Sequence, residues 1–300
     1  MFTDNKNFWL GFGLAGLGSV LFSAKAIVAK LLYLQQVDAL VVMGFRMLLA
    51  LPFFMAIAIY FMRQVRKGLL PPLSRKQKWQ VVSLGFIGYY LSSYLDFLGL
   101  QYITAGLERL ILFLSPTFVL LITAVWLKRP IVNKQWFALG LSYIGVFLVF
   151  LQDLSLEGDH VVLGTAFVFC AALTYSIYLI GSGELVRLVG PTRLVAYAMT
   201  TSCFITQGHF LITYSWQGLQ QNAVVYGLSL WHAVAHTVIP TIMMMWAIAR
   251  IGAPMVAQLG LFGPVSVLFL AAWILGEPIT AIQLLGTGVT LAGAVVLGRR

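Results

Sequence analysis

The sequence predicts an all-α integral membrane protein with ten transmembrane helices, arranged as two inverted five-helix repeats. Three observations predict this fold class: an unusually apolar composition, ten apolar runs of spanning length, and an internal similarity at a shift of 148 residues. Of the 300 residues, 60% are hydrophobic and 9% are charged, whereas a soluble domain carries about 25% charged residues. A chain with so few charges cannot cover a water-exposed surface.

Ten runs are long enough to cross a bilayer, which requires about 20 mostly apolar residues per helix. In chain order they cover residues 8–33, 38–62, 79–100, 103–127, 134–151, 160–181, 192–214, 224–249, 252–275 and 279–298. The first run has no small-residue cleavage site of the signal-peptide kind, so we expect it to be retained as a span. Two junctions are almost continuous, which predicts tight reversals at 104–106 and 252–254.

The basic residues predict the orientation of the spans. With the N-terminus in the cytoplasm, cytoplasmic segments hold 15 of the 19 Lys and Arg residues, and the other four lie within spans. Lysine and arginine concentrate on the cytoplasmic side of membrane proteins, so both termini are predicted to be cytoplasmic. This topology also accounts for the net charge of +10, and nucleic acid is not expected as a partner.

The internal similarity divides the chain into repeats at 1–152 and 153–300. Shifted by 148 residues, the fourth and fifth spans match the ninth and tenth at Ile103, Ala105, Pro116, Val119, Leu120, Ala124, Leu127, Pro130, Gln135, Gly140 and Gly145. Five helices per repeat place the second copy upside down. The connector 127–130 is basic and its counterpart 275–278 is acidic, as inversion and a positive cytoplasmic side together predict.

Three segments carry a resemblance to a known family: residues 99–116 (GLQYITAGLERLILFLSP), the turn at 276–278 (GEP) and the stretch 286–293. With these segments the chain resembles the EamA-type members of the drug/metabolite transporter superfamily, which also place an arginine where Arg46 stands. The resemblance implies a ten-helix fold and export of small metabolites, amino acids or toxic compounds across a bacterial inner membrane, driven by an ion gradient. Lys128 and Arg129 depart from the Gly-Glu that such proteins often carry, and we interpret them as a topological signal.

Charged side chains within spans are the first candidates for a site. Each costs about 2.5–3.5 kcal/mol on insertion, so it faces the protein interior or a watery cavity. The candidates are Lys25, Arg46, Asp96, Glu108 and Arg109. Glu108 and Arg109 point about 100° apart on their helix, so each is expected to find a partner on another helix. They bind a proton or charged substrate groups, or they form structural ion pairs; for Arg46 a packing role is favoured, and Asp96 is a candidate partner of either arginine.

Histidines and aromatic residues complete the candidate set. His232 and His236 lie four residues apart on one helix face, which suits a proton relay or a packing pair. No glutamate lies between them as in zinc proteases, and no metal or other cofactor is predicted. Aromatic side chains suit an amphipathic pocket, although they also form interfacial belts. The aromatic candidates are Tyr89, Tyr94, Tyr178 and Trp246.

These observations predict a secondary transporter, not an enzyme, that exports small metabolites such as amino acids or drug-like compounds by alternating access. Its predicted partners are a small-molecule substrate, the lipid bilayer and a coupling proton; monomer and homodimer both remain open. The alternative is a membrane-embedded enzyme acting on a lipid-linked substrate, which only the histidine pair suggests. A receptor or scaffold would need a large extramembrane module, which no loop of this sequence provides.

Overall fold

The computed structural model describes residues 5–126, 128, 131–157, 160–251, 255–256, 259–260 and 262–298. Within them the regular secondary structure is helical throughout. We number the helices α1 to α10 in chain order. The first five are α1 (Asn5–Ser23 and Lys25–Tyr33), α2 (Ala39–Arg66), α3 (Arg75–Leu84, π-helical Gly85–Leu91 and Ser92–Leu100), α4 (Ala105–Leu112 and Ser115–Trp126) and α5 (Asn133–Glu157).

The second five helices follow a similar plan. They are α6 (His160–Val189), α7 (Pro191–Tyr214), α8 (Ala223–Ala233, π-helical Val234–Val238 and Ile239–Ile251), α9 (Phe262–Leu270 and π-helical Ala271–Leu275) and α10 (Ala281–Gly298). In the described part of the chain, 7 helices are long and apolar enough to cross a membrane, and two shorter apolar ones lie at 262–275 and 281–296. The predicted all-α membrane fold is confirmed. Each of the ten predicted spans contains one of the helices α1 to α10, although α7, in the seventh span, is not among these nine apolar helices of the described residues.

Side-chain caps determine where several helices begin. The side chains of Asp38, Thr104 and Asn222 accept hydrogen bonds from the backbone N–H groups three residues later, at 2.9, 3.1 and 2.8 Å. Such bonds satisfy N–H groups that have no partner inside the helix. Thr104 therefore ends the short link after α3 and starts α4, where the sequence predicts a reversal. The other predicted reversal, at 252–254, lies outside the described residues.

The helices associate in pairs across the two halves of the chain. The most extensive contacts join α1 to α8, α2 to α7, α3 to α6 and α5 to α10, and α4 also contacts α9. Exchanging α1–α5 with α6–α10 maps each of these pairs onto a pair in the same set. A two-fold axis relating the halves would produce this pattern.

Glycines bring α5 and α10 into backbone contact. A Cβ on Gly293 would lie 2.7 Å from the carbonyl oxygen of Ala138, and one on Gly286 would lie 2.6 Å from that of Gly145. The hydroxyl of Thr290 lies 3.5 Å from the carbonyl oxygen of Ser142, a residue 148 positions earlier. Small residues permit such close approach of spanning helices.

Candidate functional site

Three charged side chains from α1, α3 and α4 meet inside the helix bundle. The ammonium group of Lys25 forms an ion pair with the carboxylate of Asp96, and its Nζ lies 3.6 Å from Oε1 of Glu108. Lys25, Asp96 and Glu108 are 8%, 2% and 0% exposed. We call these residues the charged triad. The structure thus pairs Asp96 with Lys25, rather than with the two arginines that the sequence suggests.

Local backbone features position the triad. Lys25 is the first residue after Ala24, which separates the two helical segments of α1. Asp96 lies beyond the π-helical turn Gly85–Leu91, which changes the direction of every later side chain on α3. Glu108 lies one turn into α4, whose start is fixed by the Thr104 cap. The position of Asp96 therefore depends on the π-helical turn, and that of Glu108 depends on where α4 begins.

The charged triad, Arg46 and His232 surround the ring of Phe97, and we call these residues the polar cluster. The Phe97 ring is 5.7 Å from Nζ of Lys25, 4.8 Å from Cζ of Arg46 and 5.7 Å from the ring of His232. The hydroxyl of Tyr33 donates a hydrogen bond to the Phe97 carbonyl oxygen at 2.7 Å. An aromatic face attracts cations without neutralising them. Lys25 and Arg46 can therefore pack near Phe97 and keep their positive charge available to a ligand.

Arg46 and His232 are buried without hydrogen-bond partners for key atoms. Nε and Nη2 of Arg46, and both ring nitrogens of His232, have none among the described residues. Arg46 is 5% exposed and His232 is 0% exposed. Most buried polar groups in proteins are hydrogen-bonded. Arg46 and His232 therefore differ from ordinary core residues, and their open donors and acceptors could receive a ligand.

Arg109 faces a different direction from its neighbour Glu108. A Cβ on Gly263 of α9 would lie 2.8 Å from Nη2 of Arg109 and 2.6 Å from Oγ of Ser23. The guanidinium group thus lies directly against the backbone of the second half. Glu108 lies near Lys25 of α1, while Arg109 lies against α9 and its Nε has no hydrogen-bond partner among the described residues.

The candidate tyrosines form two separate groups. The hydroxyls of Tyr89 and Tyr178 are 3.0 Å apart, between α3 and α6. Tyr94 belongs elsewhere, because its ring stacks on that of Tyr90 and meets the edge of His209, at centroid distances of 6.3 and 5.1 Å. A single aromatic pocket containing all the candidate tyrosines is therefore not formed.

Two candidates on α8 lie outside the polar cluster. Nδ1 of His236 lies 2.7 Å from the carbonyl oxygen of Leu21, and its ring is 6.4 Å from that of His232. Trp246 is 55% exposed on the outer surface of the bundle. The structure therefore connects His236 to α1, next to the cluster, and places Trp246 away from it.

The sequence model of the EamA-like transporter family matches residues 9–151 and 162–299. The chain belongs to the EamA-like transporter family. It is 32% identical over 286 residues to the uncharacterized transporter YcbK of Bacillus subtilis (strain 168), covering 91% of this chain and 87% of that protein. It is 24% identical over 249 residues to the uncharacterized transporter YyaM of the same organism, covering 80% and 78%.

A crystal structure of a protein shares the fold of this EamA-like chain. It superposes with a TM-score of 0.61 at 15% identity, covering 97% of this chain and 96% of that one. The resemblance predicted from the sequence is confirmed by the family match. The chain is accordingly a multi-pass membrane protein of a transporter family.

Two acidic residues of this EamA-like transporter bind the start of α4 and were not among the predicted site residues. Oδ2 of Asp153 accepts hydrogen bonds from the Thr104 backbone N–H at 3.1 Å and from its hydroxyl at 2.7 Å. Oε1 of Glu277 accepts one from the Ala105 N–H at 3.1 Å. Burial raises the pKa of Glu277 above its ordinary value, while the bond from Ala105 acts in the opposite direction. The available signal was that both acidic residues lie just beyond the C-terminal ends of predicted spans, 134–151 and 252–275, since helix N-termini attract carboxylates.

Phe97 is the other residue that sequence analysis missed. It is one apolar side chain in an apolar span, and no pattern distinguishes it from its neighbours. Only the adjacency to Asp96 could have drawn attention to it.

Two recesses in the described part of the chain are lined by residues other than the charged triad. One, of about 260 Å³, is apolar and is lined by Leu121, Ile122, Val125, Leu173 and Ile177. The other, of about 480 Å³, is lined by Lys76, Trp79, Gln80, Ser83, Leu84 and Gly181. In the described part of the chain, no three His, Cys, Asp or Glu side chains are grouped as a metal site. The triad residues are at most 8% exposed, so a ligand requires helix movement to reach them.

Proposed function

We propose that this protein is a secondary transporter that exports small metabolites, such as amino acids or drug-like compounds, by alternating access. The observation that carries the proposal is the charged triad, buried within spans where charge is expensive. Membership of a transporter family supports the same conclusion. Buried charges of this kind mark substrate or ion pathways in membrane proteins.

An inverted repeat provides the conformational change that alternating access requires. The helix starts support the repeat. Ser74 caps the start of α3 and Asn222 caps the start of α8, and these two positions are 148 residues apart, which equals the shift found in the sequence. The π-helical turns Gly85–Leu91 and Val234–Val238 occupy corresponding positions on the same two helices. The pairing of α1 with α8 and of α3 with α6 follows the same symmetry. Rocking of one half against the other would then expose the cluster to each side in turn.

Glu108 is the proposed coupling residue. Its two carboxylate oxygens have no hydrogen-bond donor among the described residues, and its nearest cation, Lys25, is shared with Asp96. A proton or a substrate ammonium group arriving at Glu108 would release Lys25 to pair with Asp96 alone. This competition links occupancy of the site to the packing of α1 against α3 and α4.

The direction of transport and the membrane are part of the proposal. In the proposed orientation, the contact of Glu277, from the connector before α10, with the start of α4 lies on the outer side. Because this contact joins the two halves, it must break before the cluster can open outward. We place the chain in a bacterial inner membrane with both termini in the cytoplasm, on the distribution of basic residues.

The test is solute accumulation in proteoliposomes containing the purified protein, with and without a pH gradient. A pool of amino acids and small metabolites is read out by mass spectrometry, and Glu108→Gln and the exposed Lys67→Gln serve as test and control. Gradient-dependent accumulation that Glu108→Gln abolishes and Lys67→Gln preserves is the expected result. Accumulation unchanged in Glu108→Gln would make Glu108 structural, and no accumulation of any solute by folded wild type would overturn the proposal.

A further inference from the structure

We infer that Arg46 on α2, together with Ser229 and His232 on α8, forms a subsite for one carboxylate group of the transported molecule. The substrates are then small monocarboxylates, amino acids among them, rather than neutral or purely cationic compounds. This inference rests on the proposed transport function and specifies the substrate class of the same site.

The first observation is the state of the Arg46 side chain. Its Cζ lies 4.8 Å from the ring centre of Phe97, and its Nε and Nη2 donate to no acceptor among the described residues. A guanidinium group presents N–H donors in a rigid fork that matches both oxygens of a carboxylate. Among the described residues no carboxylate forms an ion pair with Arg46 within 4.0 Å, and a buried charge without such a contact is costly. Nε and Nη2 of Arg46 are thus suited to bind the carboxylate of a transported molecule reversibly.

The second observation comes from the opposite half of the chain. Ser229 and His232 are three residues apart on α8, hence on one face, and are 1% and 0% exposed. The Ser229 hydroxyl and both His232 nitrogens have no partner among the described residues. The first segment of α8 packs on α2, and the His232 ring meets the ring of Phe97 that Arg46 also covers. Unsatisfied polar groups from both halves therefore converge beside Phe97.

The charge of the cluster indicates how much negative charge the ligand brings. When Glu108 holds the coupling proton, Lys25 and Arg46 supply two positive charges and Asp96 supplies one negative charge. The remainder is one positive charge. One carboxylate group balances it, whereas a dianion such as a phosphate ester would leave an excess negative charge away from water. The ammonium group of an amino acid would take the place of the proton at Glu108.

The subsite also explains why the ligand would move the helices. A carboxylate held by Arg46 and by the α8 side chains would join α2 to α8, two helices from different halves. An interaction that differs between two conformations can shift their equilibrium. The same contact that selects monocarboxylates would therefore bias the rocking of the halves.

The experiment compares each acid with its amide, in which an uncharged group replaces the carboxylate. L-Leucine and L-leucinamide, L-phenylalanine and L-phenylalaninamide, and 4-methylvalerate and its amide are offered in pairs to proteoliposomes at equal concentration. Initial rates are measured for wild type, Arg46→Gln, Arg46→Lys and His232→Gln. Arg193→Gln is the matched control. Arg193, near the start of α7, is also buried, but its guanidinium group donates hydrogen bonds to the carbonyl oxygen of Pro71, between α2 and α3.

The expected result is an acid-to-amide rate ratio of about tenfold or more in wild type, which corresponds to one charge-assisted interaction. Arg46→Gln should reduce the ratio to near one, His232→Gln should reduce it severalfold, and Arg46→Lys should give an intermediate value because lysine lacks the fork. Arg193→Gln should keep the wild-type ratio. Equal transport of acids and amides by wild type would overturn the subsite and leave the transport proposal standing.

Thermal unfolding of the same proteins in detergent gives a second measurement. Acids should raise the melting temperature of wild type more than their amides do, and Arg46→Gln should lose this difference. A shift specific to acids without any flux would overturn the transport proposal and retain the subsite. If neither flux nor a shift in melting temperature is seen with folded wild type, both proposals are wrong. If Arg46→Gln does not fold, the acid-to-amide rate ratios of Arg46→Lys and His232→Gln test the subsite instead.

Discussion

Lys25 on α1 forms an ion pair with Asp96 on α3, 71 residues later in the chain and within the membrane-spanning part of both helices. This pair joins the first and third helices next to Glu108 of the fourth, so a single cation organises two carboxylates. Its consequences for stability can be measured separately from transport.

Replacing Lys25 should destabilise the protein strongly. Lys25→Met leaves Asp96 and Glu108 buried without their cation, and breaking a buried pair in this way costs about 3–5 kcal/mol. The double variant Lys25→Met with Asp96→Asn should recover part of that loss, because one stranded charge is removed. Melting temperatures of Lys25→Met, Asp96→Asn and the double variant, each relative to wild type in one detergent, test this, with the exposed Lys67→Met as control. A double variant as unstable as the sum of both single variants would show that the pair is not coupled.

The glycines of α5 and α10 offer a comparison between crowded and open positions. A methyl group at Gly145 would collide with Gly286 and Thr290, and one at Gly293 with Ala138 and Ser142. We expect Gly145→Ala and Gly293→Ala each to destabilise by about 1–3 kcal/mol, the usual cost of overpacking.

Gly140 and Gly288 are the matched controls, because a Cβ at either meets nothing within 4 Å. Their replacement by alanine should be neutral, or stabilising by up to about 1 kcal/mol through helix propensity. Thermal unfolding of the four variants provides the comparison. Equal effects at crowded and open positions would contradict the close packing of α5 on α10.

Glu277 should make stability depend on pH. Burial raises its pKa, so the folded protein holds the proton more tightly than the unfolded chain does. The stabilising contribution is present below the unfolded pKa of about 4.3 and is lost as the pH rises through the higher folded value.

The variant Glu277→Gln keeps an acceptor oxygen for the Ala105 N–H but does not titrate. Relative to this variant, wild type should therefore become less stable as the pH is raised from about 4 toward neutrality. Melting temperatures of both proteins across the pH range measure the difference. A difference that stays constant with pH would show that Glu277 does not titrate in this range.

Cysteine labelling tests the predicted orientation. Gln220, in the connector between α7 and α8, is predicted to face the outside, and Lys67, after α2, the cytoplasm; both are exposed. In a background without Cys170 and Cys203, a membrane-impermeant maleimide should label Gln220→Cys in intact cells and Lys67→Cys only after permeabilisation. The reverse pattern would place both termini outside.

The fold was predictable because length and hydropathy alone mark spanning helices. The shift of 148 residues, found in the sequence of the fourth and fifth spans, also relates Ser74 to Asn222 at helix starts that were not used to find it. The sequence singles out the charged candidates but not which of them pair. Burial of Lys25, Asp96 and Glu108 follows from their charge within spans, but their pairing depends on where α3 and α4 lie relative to α1.

The remaining features of the site depend on geometry that residue patterns do not encode. Phe97 is central only because three helices converge on it, and Trp246 is peripheral because it lies on the outward face of α8. Tyr94 is separated from Tyr89 by the intervening turn of α3, which is partly π-helical. A regular helix of 3.6 residues per turn is the usual assumption for such placement, and it does not apply here.

The π-helical turn Gly85–Leu91 has an evolutionary consequence. A regular helix of the same length over this segment would rotate everything that follows by about 100°, carrying Asp96 and Phe97 away from Lys25. A π-helical turn holds one residue more than the regular turn it replaces, so it absorbs a residue that regular helix cannot. An insertion or deletion between this segment and Asp96 would therefore dismantle the charged cluster without changing any of its members. Natural variation in the length of α3 among related chains should accordingly fall within this segment rather than after it.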